Sequence, residues 1–309
     1  MHLVTGASGF VGGALMRAYE RAGDSVVGTV RESPSKGRIR VAPIDGDTDW
    51  GGTLEGVDVV IHLAARVHVM EGGDKDPDLM HRVNVEGTMR LAQSCVMAGV
   101  RRFVFVSTIK VNGECTGEPG APEYFTSEDT PSPNGAYAVS KFEAEQRLRA
   151  LCDAEGMELC IIRPPLVYGP GAGGNFRRLV RLVNTGVPLP FAAVDNRRSM
   201  LALDNLVSLL RLCATSEAAA GHVFLASDGH DISTPELIRE LAMALGRPAR
   251  LVRTPPAVLE GMAGLLGRRE QIHRLCRSLQ VDISKTCQEL DWVPPVSLSA
   301  AISASVAGL

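Results

Sequence analysis

Several things are scarce or missing in this chain of 309 residues, and each closes a class of function. There is no surplus of positive charge. Lys and Arg number 32 against 35 Asp and Glu, a net charge of −3, so the chain carries no basic footprint for nucleic acid. No apolar run approaches the roughly 18–20 residues that span a bilayer. The first strand pattern begins at residue 2, so no signal peptide is expected. The seven cysteines are odd in number and scattered without Cys-x-x-Cys spacing, which argues against a disulfide framework and a zinc site. The seven histidines show no metal-ligand spacing either, so no metal is expected. Cys95, Cys152, Cys160, Cys213 and Cys276 lie in apolar patterns and are expected to be buried thiols. The compartment expected from this cysteine usage is the reducing cytoplasm. No internal repeat or low-complexity tail interrupts the chain.

What is present is enough apolar residue, 45% at a mean hydropathy of +0.07, for a substantial core. The length suits one large domain, or one domain with a smaller lobe. Short apolar runs at 2–5, 25–30, 40–44, 58–63, 102–107, 159–163 and 222–226 read as strands. Helical patterns fall at 11–22, 77–98, 135–155, 174–185, 204–216, 234–245, 255–265, 268–277 and 284–290. This alternation predicts an α/β fold with a doubly wound parallel sheet, a Rossmann architecture. Val59-Val-Ile61 and Phe103-Val-Phe-Val-Ser107 read as strands buried on both faces. Beyond about residue 165, Pro, Gly and Arg become frequent and strands sparse. Residues 1–165 are therefore expected to form the nucleotide-binding domain and 166–309 mainly a substrate lobe. The Pro/Gly-rich stretch 113–135 reads as a loop near the site.

Chemistry begins at the N-terminus. Gly6, Gly9 and Gly12 follow a short strand and open an amphipathic helix. Gly6 permits a tight turn, Gly9 lets the backbone approach a pyrophosphate, and Gly12 allows close strand–helix packing. Ser8, Phe10 and Val11 belong to the same turn, at a helix N-terminus whose unpaired N–H groups and dipole favour phosphate. A dinucleotide is the expected cofactor. NAD enzymes place an acid after the second strand to hold the ribose 2′-hydroxyl. Here Val26-Val-Gly-Thr-Val30 ends without one and Arg31 comes next, which tilts the choice between NAD and NADP toward NADP.

The second chemical feature is Tyr137-Ala-Val-Ser-Lys141. On a helix these two side chains share a face. An ammonium beside a phenol favours the phenolate, which makes a general acid/base for a hydroxyl-bearing carbon. Alone the pair is a weak signal; behind a nucleotide turn it is a strong one.

With these pieces on the page, the chain resembles the extended short-chain dehydrogenase/reductase family of nucleotide-sugar epimerases, dehydratases and reductases. The resemblance covers nearly all of it, through Thr5–Gly12, Asp45-Gly-Asp47, His62-Leu-Ala-Ala65, Asn84-Val-Glu-Gly-Thr88, Val106-Ser-Thr108, Tyr137–Lys141, Arg163-Pro-Pro-Leu-Val-Tyr-Gly-Pro170 and Asp282-Ile-Ser-Lys285. Ser107-Thr-Ile-Lys-Val-Asn-Gly-Glu114 and Asn196-Arg-Arg-Ser199 look closest to a branch from bacterial polysaccharide biosynthesis, described as 4-epimerase-like or 4-keto-reductase-like.

The resemblance implies roles. Tyr137 exchanges the proton with the sugar hydroxyl, Lys141 also bonds the nicotinamide ribose, and Thr108, with Ser107 as the neighbouring alternative, orients the substrate oxygen. Asp47 corresponds to the acid on the adenine amino group, with Thr48 beside it. Leu63, Ala64 and Ala65 lie where the backbone passes the pyrophosphate. Asn84 matches an asparagine on the helix behind the site, where bracing the strand ends is the other reading. Pro164 lies in the segment leading to the sugar. Arg198 is expected at the nucleotide diphosphate, and Asn175 either there or as a cap of the helix that starts beside it. Arg197 is less well matched, and Arg274 or Arg277 is the candidate second arginine. Asp204 reads as a helix cap, and His62 as a brace for the fourth strand. Part of 195–230 is expected to return to the main sheet, and helices 77–98 and 135–155 to pair in a homodimer.

The implied function is hydride transfer at C4 of a UDP- or dTDP-hexose, as a 4-epimerase. The alternative is an NADPH-dependent 4-keto reductase of an activated 6-deoxyhexose. A 4,6-dehydratase fits less well, because Ile109-Lys110 stands where those enzymes carry an Asp-Glu pair. A non-catalytic dinucleotide-binding protein fits least, because Tyr137 and Lys141 are both present.

Overall fold

Strand residues that are apolar on both faces need helices on both sides, and the chain supplies them. The computed structural model describes residues 1–32, 37–67, 77–118, 120–255, 258–259, 261 and 269–307. The strands are β1 (His2–Thr5), β2 (Val26–Val30), β3 (Arg38–Arg40), β4 (Val59–His62), β5 (Arg102–Val106), β6 (Glu158–Arg163), β7 (Leu166–Tyr168), β8 (Met200–Ala202) and β9 (Val223–Leu225). The helices are α1 (Phe10–Ala22), α2 (Pro77–His81), α3 (Gly87–Met97), α4 (Ala136–Glu155), α5 (Gly174–Asn184), α6 (Leu203–Thr215), α7 (Thr234–Ala244), α8 (Arg269–Cys276), α9 (Ser284–Leu290) and α10 (Leu298–Val306).

Seven strands form one sheet in the order β3-β2-β1-β4-β5-β6-β9, and every pairing is parallel. The expected doubly wound sheet is therefore observed. Its two faces follow the period-two alternation of side chains. Leu3, Val60, Phe103 and Ile161 pack beneath α3 and α4 with Leu91, Cys95, Leu148 and Cys152. Val4, Ile61, Val104 and Ile162 face α1 and α6 with Leu15, Met16, Leu206 and Leu210. The strand order reverses direction between β1 and β4, and at such a switch point the carboxyl ends of the strands open a crevice for a ligand.

A further apolar cluster joins Tyr168, Phe176 and Val180 to Ile238, Leu241 and Ile302, and packs α5 and α7 together above that crevice. Three of its elements escaped the sequence reading. β7 and β8 pair in parallel as a two-stranded ribbon too short to show a period. The small-residue helix α10, Leu-Ser-Ala-Ala-Ile-Ser-Ala-Ser-Val, has no amphipathic pattern to read and is started by the Ser297 side chain accepting from Ala300 N.

Other expectations need correction. The third strand lies at Arg38–Arg40 rather than 40–44, because Pro43 and the turn at Asp45–Thr48 follow it. The helix expected over 77–98 ends at Met97 and carries a π-helical turn at Arg82–Glu86. Cys276 is half-buried, whereas Cys95, Cys152, Cys160 and Cys213 are buried, and all seven thiols are free. The helix expected at 255–265 falls largely outside the described residues.

Candidate active site

The glycine turn gathers the sheet's switch point. Gly6 adopts a left-handed φ of 68°, and Gly9 N donates to Gly6 O at 2.9 Å. A Cβ on Gly12 would stand 2.2 Å from Gly6 O, so only glycine permits this approach. The N-terminus of α1 has no side-chain cap and no acid in its first turn. Ser8 and Gly9 are exposed there, with Phe10 and Val11 half-buried behind them. An uncapped helix end over a glycine cradle is the donor set a pyrophosphate needs. The turn rests on the segment after β4: a Cβ on Gly6 would lie 3.0 Å from Ala64 N.

That contact is fixed by a buried chain of hydrogen bonds. Leu63 N and Ala64 N both donate to Thr5 Oγ1 at 3.2 Å, and Thr5 Oγ1 meets His62 Nδ1 at 2.7 Å. His62 Nε2 meets Thr88 Oγ1 at 3.0 Å, and that hydroxyl donates to Asn84 O at 2.7 Å. Because the Thr88 proton is committed to Asn84, Nε2 must donate; because Thr5 Oγ1 already accepts from two backbone N–H groups, its own proton goes to Nδ1, which must accept, and this defines a neutral imidazole. Burial, aided by Lys141, lowers the His62 pKa to about 3 from 6.5. The unfolded chain binds a proton near pH 6.5 that the fold refuses, so stability rises with pH between about 3 and 6.5. The expected slope is ~1.4 kcal/mol per pH unit. Urea unfolding of wild type should weaken by this slope between pH 6 and pH 5, and His62→Gln should flatten it. Equal slopes would place the acid sensitivity elsewhere.

Asn84, on the π-helical turn, spends both amide protons on protein, to Arg66 O and Ser140 Oγ at 3.0 Å each. Its Oδ1 accepts from Arg66 N at 2.7 Å. It ties α4 to the post-β4 segment and has no donor left for a cofactor. Thr48 is buried and donates within its own loop to Pro43 O at 3.1 Å, so its hydroxyl is likewise committed. Asp47 beside it is exposed, as is Arg31 at the end of β2.

At the ends of β5 and β6 lies a cavity of about 710 Å³. Thr108, Tyr137, Asn175 and Arg198 all line it, brought together from a strand end, two helix starts and the approach to β8. Phe176, Leu179 and Phe191 supply apolar wall. Thr108 also accepts from Lys110 N and caps the 3₁₀ turn Ile109–Val111, so its capping and cavity-lining positions coexist. Ser107 is buried with no partner for its hydroxyl. Pro164 is buried, and its carbonyl accepts from Ile109 N at 3.0 Å; the neighbouring Pro165 lines the cavity instead.

Lys141 is buried with Nζ 4.2 Å from the Phe105 ring centroid. Burial lowers its pKa to about 7, against the raising influence of Glu145. Burial pushes the Tyr137 phenol up to about 12. The expected depression of the phenol by the lysine is therefore not what this site shows, because desolvation dominates both groups.

The arginines divide. Arg198 faces the cavity and donates to Arg277 O at 3.0 Å, whereas Arg197 pairs with Glu236 and Arg277 with Glu118 on the surface. The Arg274 side chain lies outside the described residues. Asp204 does not cap α6: it sits exposed in the first turn, and half-buried Asp228 holds that end through Ala202 N and Asn205 Nδ2, both at 2.7 Å. The sequence reading missed Lys110, which lines the cavity, and the buried Glu145–Arg163 pair. Among the described residues no cluster of metal-ligating side chains occurs, and no helix is long and apolar enough to cross a membrane.

Comparison with known proteins shows the family and the fold. The pattern of the NAD dependent epimerase/dehydratase family matches residues 2–226. A UDP-glucose 4-epimerase of Vibrio cholerae is 43% identical over 302 residues, covering 96% of this chain and 91% of that protein. The UDP-glucose 4-epimerase of Thermotoga maritima, solved with UDP-glucose, superposes with a TM-score of 0.79 at 22% identity, over 99% of this chain and 97% of that one. MoeE5, solved with UDP-glucose and NAD, has a TM-score of 0.78 at 25% identity, over 98% and 96% of the two chains.

Proposed function

The chain belongs to the NAD dependent epimerase/dehydratase family, the extended short-chain dehydrogenases, and we propose that within it this enzyme is a nucleotide-sugar 4-epimerase acting on a UDP-hexose. The observation that carries the reading is the single cavity that joins Thr108 and Tyr137 to Asn175 and Arg198. Arg198 suits the diphosphate, since a guanidinium matches phosphate oxygens as a fork. Asn175 lies beside it at the start of α5. Tyr137 takes the proton from the C4 hydroxyl and returns it, while Thr108 holds the same oxygen by hydrogen bonding. Lys141 steadies the phenolate by charge. A nicotinamide dinucleotide, when bound, supplies hydride acceptance and return at C4. The residues that would hold it are the uncapped start of α1 with Gly6, Gly9 and Gly12, Leu63 to Ala65 beneath them, and Asp47 at the adenine. The apolar walls offer the sugar few polar anchors, which suits a 4-keto intermediate that must present its other face.

In this reading 166–309, less the part of 195–230 that returns to the sheet, closes over the substrate. The exposed Val139 and Met97 on α4 and α3 support the homodimer expectation for those helices.

The second reading, an NADPH-dependent 4-keto reductase, is favoured by one observation. β2 ends at Val30 without an acid, and the next residue, exposed Arg31, carries the charge that a 2′-phosphate would need. Denaturing freshly purified protein and identifying the released dinucleotide separates the two. Near-stoichiometric NAD⁺, with interconversion of UDP-glucose and UDP-galactose, is expected for the epimerase, which recycles its cofactor. An empty protein that binds NADPH tightly and interconverts neither sugar would replace it by the reductase, and Arg31→Asp should then shift preference toward NADH.

A further inference from the structure

Helix α4 carries more of the site than its first turn. Tyr137, Lys141 and Glu145 recur every four residues and so share one face. Glu145 is fully buried. Its carboxylate accepts two bonds from the Arg163 guanidinium, Nε at 2.9 Å and Nη2 at 2.5 Å. Arg163 is the last residue of β6, itself 2% exposed. Its third arm, Nη1, donates to Asn112 Oδ1 at 3.0 Å. Asn112 closes the 3₁₀ turn that begins at Thr108, and its Nδ2 donates to Thr126 O at 2.7 Å. One buried pair therefore links the helix of Tyr137 and Lys141, the strand leading to the cavity, and the turn that carries Thr108.

Charge reinforces the geometry. The charge acting on Lys141 is Glu145 from its own helix, and Lys141 in turn helps to hold His62 of β4 neutral. Arg149 approaches Glu145 at 3.7 Å from the half-exposed side of α4. With Tyr137 as phenolate, Lys141 as ammonium and the Glu145–Arg163 pair intact, the buried set sums to zero charge. Without Glu145 the same set carries an uncompensated positive charge. In a desolvated site Lys141 relieves that charge by losing its proton, and an uncharged lysine no longer stabilises a phenolate.

We propose that Glu145 is a positioning residue of this active site: anchored by Arg163, it supplies the negative charge that Lys141 faces, and through Asn112 it locks the Thr108 turn to the helix of Tyr137. The inference rests on the reading of Tyr137 and Lys141 as the acid/base pair. Such a pair is not needed for stability alone, since apolar residues of similar volume replace buried ion pairs without loss in many proteins.

The chain has only five lysines, so [ε-¹³C]lysine labelling reads the Lys141 titration directly by NMR, assigned by its disappearance in Lys141→Met. Glu145→Gln strands Arg163 and is liable to unfold. The decisive variant is therefore the double Glu145→Leu/Arg163→Met, checked for native near-ultraviolet circular dichroism. Removing both partners leaves the net charge at zero, but Glu145, on the face it shares with Lys141, is the charge that raises the Lys141 pKa, so the Lys141 midpoint should still fall, by about one pH unit. The alkaline limb of kcat should move down with it, and kcat should drop roughly tenfold or more with KM little changed. A folded double variant with the wild-type Lys141 titration and pH profile would overturn the inference and leave the pair a structural strut. The NMR titration needs no substrate, so a wrong substrate or reaction shows itself separately, as wild-type protein that fails to turn over UDP-hexose.

Discussion

Tyr137→Phe is expected to lower turnover by roughly 10²–10⁴-fold while leaving the bound dinucleotide in place. The substitution keeps the ring and removes only the oxygen. Tyr137 lies at the start of α4, where Ala138, Ala144 and Leu148 bury the helix independently of the phenol. The fold and the glycine turn should therefore be untouched, and the loss should fall on kcat. No other cavity-lining oxygen substitutes well: Thr108 is committed to its turn and titrates far too high to act as a base. Initial rates on UDP-glucose, beside the dinucleotide content of each protein, test this. A variant within about tenfold of wild type would remove Tyr137 from the acid/base role.

Gly12→Ala should be nearly as damaging, for a steric reason, and Gly13→Ala next to it should be harmless. A Cβ on Gly12 would stand 2.2 Å from Gly6 O, 2.8 Å from Gly6 C and 2.9 Å from Ala7 Cα, all of them backbone atoms. No rotamer relieves that clash. Either α1 lifts, pulling Leu15, Met16 and Tyr19 from the core, or the turn opens and breaks the Gly9–Gly6 hydrogen bond. Overpacking of this kind costs about 1–3 kcal/mol, and more where only backbone can yield. The purified variant should have lost its dinucleotide. A Cβ on Gly13 meets the flexible tip of the Arg17 side chain at 3.4 Å and Ala7 O at an ordinary van der Waals 3.7 Å, and alanine in a helix gains up to about 1 kcal/mol over glycine. Thermal unfolding and released-cofactor assays on the two variants make the comparison internal. Equal behaviour would mean that the turn does not close on α1 as described.

The legible parts of the molecule were those whose physics is local. Two-face-buried runs such as Val59–Ile61 and Phe103–Val106 announced a parallel sheet, and the spacing of Gly6, Gly9 and Gly12 announced the turn. Tyr137 and Lys141 could be paired because helical periodicity alone sets them on one face. What lacked a period was missed: the three-residue strands β7 and β8, and α10, whose alanines and serines show no polar face.

The roles that depend on who meets whom could only come from the fold. Nothing local says that Thr48 and Asn84 spend their donors on the protein, that Pro164 faces inward while Pro165 lines the cavity, or that Asp228 rather than Asp204 holds the start of α6. Nor does any motif join Glu145 to Arg163 and Asn112, which meet only because α4 lies across β6 beside the Thr108 turn. The sequence by itself determined the secondary structure, the doubly wound sheet and the residue types the chemistry requires, because periodicity and glycine geometry act over a few residues. The tertiary structure decided which hydroxyls, amides and charges remain available. Hydrogen-bond satisfaction and desolvation depend on neighbours distant in the chain, and they move the Tyr137 and Lys141 pKa values away from what helical spacing alone implies.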